Sequence, residues 1–168
     1  MTYFDEAIEI DPTHVRARLN RTSIHMANED AQAALDDAKV LLELAPGLAL
    51  AKLRKAEANM MLSNWEEAKD DLEQIVEDAP HHHHALTQLA SCFMAMDRPE
   101  KAEAPLNEAL RLAPDHTEAW HQRGLLYLDW AQEESALNDF EAAVRCDGNH
   151  LGARLRIAAI HHKAERFP

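Results

Sequence analysis

Along this chain, apolar positions recur at the three- and four-residue spacing of helices with one buried face, and the pattern restarts every 34 residues. Helix breakers set the period. Pro12, Pro46, Pro80 and Pro114 are 34 residues apart, and Gly148 takes the next place in the series. Five residues beyond each breaker stands an alanine: Ala17, Ala51, Ala85, Ala119 and Ala153. A second column holds Ala34, Ala68, Ala102 and Ala136. Between breakers the pattern predicts two amphipathic helices joined by a short polar turn, at "NED" (28–30), "LSN" (62–64), "DRP" (97–99) and "AQE" (131–133). Small side chains let antiparallel helices approach closely, so the alanines are expected at the packing seams. Pro99 suits the first position of the helix it opens. Asp115 is expected to cap the helix that follows it, and Pro105, which lacks a backbone donor, to bend its helix slightly.

Composition agrees with an all-helical chain. Of 168 residues 46% are hydrophobic, only 5% aromatic and four glycine, with a mean hydropathy of -0.44, a mixture that disfavours sandwiches and barrels. A net charge of -13 argues against nucleic acid as a main partner, because phosphate binding needs a basic surface. No apolar run approaches the length of a membrane span and no signal peptide pattern is visible, so no membrane association and a cytoplasmic location are expected. Cys92 and Cys146 fall in otherwise apolar columns and read as buried, reduced thiols. Met1 falls inside a helix pattern, as in a fragment of a longer protein or a gene whose start is misplaced; a natural chain with frayed ends is the alternative.

The residues Trp120, Gly124, Tyr127, Ala136 and Phe140 carry a spacing that resembles the tetratricopeptide repeat family. The same unit departs from the family pattern at Arg123, where leucine is usual, and at Gly148, where proline is usual. The first unit is the most degenerate, placing Arg18, Arg21, His25 and Ala38 where large apolar residues are expected. The resemblance implies an all-α, right-handed α-solenoid of antiparallel helix pairs forming one domain. Full repeats cover 15–48, 49–82, 83–116 and 117–150, with half repeats at 1–14 and 151–168. It also implies that first helices line a concave groove while second helices face outward.

Charge is sorted by helix. The first-helix stretches (16–28, 50–62, 84–96, 118–130 and 152–164) hold ten basic and three acidic residues, so +7, which leaves -20 for the rest of the chain. Two readings stand side by side: a basic groove, or cations paired with carboxylates of neighbouring second helices, above all for the columns of Arg18 and Arg21. Columns expected to face the groove hold Arg16 and His84 in one row, and Asn20, Arg54, Gln88, Gln122 and Arg156 in another. The second row is a ladder of side-chain donors, which suits the carbonyls of an extended peptide. It resembles the asparagine ladders of some family members. The family's two-carboxylate clamp is mostly unmet, since Leu50 stands where a lysine is needed.

No nucleotide-binding, metalloprotease or nucleophile-elbow motif is present, so the chain is expected not to be an enzyme and to need no cofactor. The four histidines His81–His84 are in register with the repeat: His82 shares its junction column with His14, His116 and His150. No metal is expected there, because consecutive helical residues point about 100° apart. The expected function is a protein–protein interaction scaffold that binds an extended, acidic peptide. One alternative is a substrate-recognition or assembly arm of a larger enzyme such as a transferase; another is end-to-end self-association through the half repeats.

Overall fold

The computed structural model describes residues 2–166, with side chains from Tyr3 to Lys163. The described residues form α-helices and one 3-10 turn, with no strand. In chain order they are α1 (Thr2–Ile10), α2 (Val15–Ala27), α3 (Ala31–Leu44), α4 (Ala49–Met61), α5 (Trp65–Asp78), α6 (His83–Ala95), the 3-10 turn Pro99–Lys101, α7 (Glu103–Leu112), α8 (Thr117–Asp129), α9 (Glu133–Cys146) and α10 (Leu151–Arg166). They gather into two compact units, Met1–Ala79 and Pro80–Pro168, divided at a breaker of the repeat. In the first unit each helix packs on the next and α2 also touches α4; in the second the same holds, and α6 touches α8.

Both alanine columns are buried without exception, from Ala17 to Ala153 and from Ala34 to Ala136. A third pair of columns shows how the seam is filled. Position 22 of the first helix faces position 38 of the second, and the pairs along the chain are Thr22/Ala38, Ala56/Leu72, Ala90/Leu106 and Gly124/Phe140, all buried. Where the second residue grows, the first shrinks. At Gly124 a Cβ would stand 2.6 Å from Phe140 Cε1, so the largest side chain of the series requires the smallest partner.

The degenerate first repeat replaces apolar bulk with a buried ion cluster. Asp37 accepts from Arg18 Nη1 (2.9 Å) and from Arg21 Nε and Nη2 (2.8 and 2.7 Å), while Arg21 also reaches Asp5 at 2.9 Å. Arg18 and Asp37 are both buried, and His25 packs beside them. The Arg21–Asp37 pairing recurs 34 residues on as Lys55–Asp71 (2.7 Å) and again as Arg123–Asp139 (2.7 Å). In the third repeat the same two positions are Leu89 and Pro105, so the ion pair is absent from that seam. Arg123 stands in place of leucine for a second reason: its guanidinium lies over Trp120 (4.8 Å) and Tyr127 (5.7 Å).

Each turn between the two helices of a full repeat closes as a Schellman motif with a non-glycine residue in the left-handed region: Glu29, Ser63, Asp97 and Ala131, φ 55–61°. In the last of them Ala131 N–H donates to Leu128 O and Gln132 N–H to Tyr127 O. The Cβ of alanine is strained there, and no side chain offsets it. Ala131→Gly is therefore expected to raise stability by about 0.5–1 kcal/mol in thermal melts, the relief of strain exceeding the added freedom of the unfolded chain; a lowered melting temperature would contradict this.

Three expectations are corrected. Asp115 does not cap α8: the N-cap is His116, one residue later. Three of the four junction histidines cap through Nδ1, His14 accepting from Ala17 N–H, His82 from Ala85 N–H and His150 from Ala153 N–H, while His116 makes no such bond. Pro105 does more than bend its helix. The stretch from Pro99 begins as a 3-10 turn and α7 starts only at Glu103, because Pro105 has no N–H to donate back to Lys101. Cys92 is buried, and burial pushes its thiol up to about 11, but Cys146 is exposed. Its column lies in the last turn of the second helices, where Leu44 and Asp78 are exposed as well.

Candidate functional site

Of the two readings of the first-helix charge, pairing with carboxylates holds for most of it. Arg18, Arg21, Lys52, Lys55 and Arg123 pair with carboxylates of second helices, Arg54 pairs with Glu57 of its own helix at 2.6 Å, and Lys163 pairs with Glu133. Of the ten first-helix cations only Arg16, Arg154 and Arg156 are exposed and make no ion pair with a described residue. The positive surface is therefore local rather than continuous.

Two of the candidate residues meet at a cavity. An open cleft of about 360 Å³ in the first unit is lined by Tyr3, Phe4 and Ala7 of α1, by His14, and by Arg16, Ala17 and Asn20 of α2. Arg16 and Asn20 sit one helical turn apart, so both project along the same side of α2. Tyr3 is 82% exposed at the mouth. The cleft thus joins an apolar wall, one unpaired guanidinium and one amide, a combination able to hold a chain carrying a carboxylate.

The other candidates are placed as follows. Arg54, on α4 of the same unit, is half-buried and turned toward Glu57. In the second unit His84 and Gln88 are half-buried on α6, with the His84 ring 6.0 Å from that of His116. Burial, then the neighbouring His83 and His84 rings, push the His116 pKa down. Gln122 on α8 spends an amide proton on Glu118 Oε1 at 2.6 Å, and Arg156 is exposed on α10. The ladder is therefore two residues in one unit, Asn20 and Arg54, and three in the other, with Arg54 and Gln122 each tied to a carboxylate.

Glu118 was not among the expected site residues. It shares the column of Arg16 and His84, and it stands against His121 and His150. The His121 ring, with help from the Gln122 amide and the His150 charge, holds its carboxyl down to about 2 against the upward push of burial. The sequence signal was present: a glutamate and a histidine three apart share a helix face, and the junction column supplies the second histidine.

The fold and this surface define a class: helical-repeat proteins built from stacked helix pairs, which present side-chain rows on their first helices. The chain belongs to the tetratricopeptide repeat family, which matches residues 59–124 and again 117–150. Among solved structures it is similar to TTC0263, a thermophilic TPR protein of Thermus thermophilus, at 22% identity over 95% of this chain and 87% of that one, TM-score 0.80. It is also similar to YrrB, a TPR protein with an unusual peptide-binding site (22% identity, 98% and 84% coverage, TM-score 0.69). A third likeness is to the first TPR of Spaghetti (RPAP3) bound to HSP90 peptide SRMEEVD, at 22% identity, 70% and 93% coverage and TM-score 0.66. No curated protein matches the chain by sequence.

Proposed function

We propose that the chain is a non-catalytic protein-interaction module that holds an extended, acidic peptide segment against its first helices. The carrying observation is the cleft between α1 and α2, where the unpaired guanidinium of Arg16 and the amide of Asn20 border an apolar wall of Phe4, Ala7 and Ala17. An extended peptide offers carbonyls to such donors whatever its side chains, and an acidic residue adds a charge-assisted bond to Arg16. Of the structurally similar proteins, one is described by its peptide-binding site and another as bound to a peptide, which supports the same use of this fold. Arg156 and the amides of Gln88 and Gln122 are the corresponding contacts in the second unit.

The test is fluorescence anisotropy with labelled, C-terminally amidated peptides, acid-rich and neutral, of equal length. Acid-rich peptides bind more tightly, and their affinity falls as salt rises because Arg16 is exposed and screened. Arg16→Glu with Asn20→Asp weakens binding roughly tenfold or more, which is about 1.4 kcal/mol. Equal affinity of the double variant, with helicity intact, defeats the assignment.

A second reading, end-to-end self-association, has its own observation. Tyr3 and Ile10 of α1 are 82% and 86% exposed, and Leu151 and Leu155 of α10 are 68% and 61% exposed. Seating α10 of one copy on α1 of another would cover both sets, a head-to-tail contact that does not close on itself. Sedimentation would show mass growing with concentration and lost in Leu151→Glu/Leu155→Glu; a strict monomer at high concentration excludes it.

A further inference from the structure

Glu118, His121 and His150 each offer one ligand atom, and the three atoms lie within 4.8 Å of one another. His121 Nδ1 is 3.8 Å from Glu118 Oε1, and His150 Nε2 is 3.6 Å from Glu118 Oε2. Both gaps are too long for hydrogen bonds. His121 Nδ1 is buried and has no hydrogen-bond partner among the described residues. Ligand atoms about 2.0–2.1 Å from a tetrahedral ion stand roughly 3.3–3.4 Å from one another, so the two spans to the Glu118 oxygens need to close by a few tenths of an ångström and no span of the three by more than about 1.5 Å. The backbone leaves the space: at Gly152 a Cβ would come 3.0 Å from His121 Nε2 and 3.4 Å from His150 Cε1.

We propose that Glu118, His121 and His150 form a binding site for one zinc-class divalent ion, held between the first two turns of α8 and the start of α10. Two imidazoles and a carboxylate are a donor set suited to such an ion, and three protein ligands leave a fourth position for water. Glu118 is about half exposed while the two rings are largely covered, so the ion enters from the glutamate side. His150 Nδ1 accepts the Ala153 N–H, so the unloaded neutral ring carries its proton on Nε2. Coordination through Nε2 shifts that proton to Nδ1 and releases the cap bond. Loading therefore has a signature at the start of α10.

The site is independent of the peptide reading and is tested with zinc alone on the full chain, by calorimetric titration and by following the Ala153 amide in NMR. The wild type takes up one zinc that moves the Ala153 amide. Glu118→Gln, His121→Leu and His150→Asn each weaken that binding roughly tenfold or more. Leucine occupies the His121 column at Leu19, Leu53 and Leu155, and asparagine preserves a side-chain cap, so these variants keep the fold. His81→Asn with His84→Gln leaves that zinc in place. Absence of zinc binding overturns the proposal, as does uptake that the three substitutions leave unchanged or that is lost in the His81/His84 variant.

Discussion

Replacing Asp37 with asparagine is expected to cost about 3–5 kcal/mol at neutral pH, because it leaves the buried Arg18 guanidinium facing a neutral amide. That is a large share of what holds a domain of this size together. Urea denaturation measures it. The pH dependence separates charge from shape. Burial alone would push the Asp37 carboxyl up, but the hydrogen bonds and charges of Arg21, then those of Arg18, outweigh it and hold the pKa below its ordinary 3.8. A carboxylate with a depressed folded pKa contributes stability above its unfolded pKa and loses it as pH falls through the folded value. The gap between wild type and Asp37→Asn should thus be full near neutrality and shrink progressively below about pH 5. A gap that stays constant down to strongly acidic pH would mean the loss is one of packing rather than of charge.

The second large effect is at the tightest seam. Gly124→Ala is expected to destabilise by roughly 1–3 kcal/mol, since the new methyl would meet three atoms of the Phe140 ring within 3 Å and that ring is fully buried. The column itself supplies the rescue. Repeats two and three pair alanine with leucine at these positions, as Ala56/Leu72 and Ala90/Leu106. Gly124→Ala combined with Phe140→Leu should therefore lose less than the sum of the two single changes, with a coupling of about 0.5–3 kcal/mol in a double-mutant cycle. Simple additivity would show that the two columns do not compensate each other.

How far the sequence reveals this depends on whether a feature repeats. The helices, their turns and the buried alanines are periodic, and a 34-residue period read from prolines places them all. The ion pairs sixteen residues apart are periodic too, and Asp37, Asp71 and Asp139 could have been matched to Arg21, Lys55 and Arg123 from spacing alone. What was not legible is what the period leaves free. Exposure of Cys146 depends on the last turn of α9 running past the core. Arg54 meets Glu57 on its own helix, and nothing in a column comparison announces that choice of rotamer. Arg16 and Asn20 were placed in two different rows, yet they line one cleft together, because α1 supplies the opposite wall there. The grouping of Glu118 with His121 and His150 lies within one repeat, but it joins the first helix to the junction after the second, and only the folded pair shows that those ends meet.

The most direct measurement is an NMR titration of the isotopically labelled chain with an acid-rich, amidated peptide. Shift changes should concentrate at Arg16, Asn20 and the facing residues Phe4 and Ala7, and should fade as salt is raised. Shifts confined to the second helices α3 and α5, or binding indifferent to salt, would contradict the assignment of the first-helix face as the peptide surface.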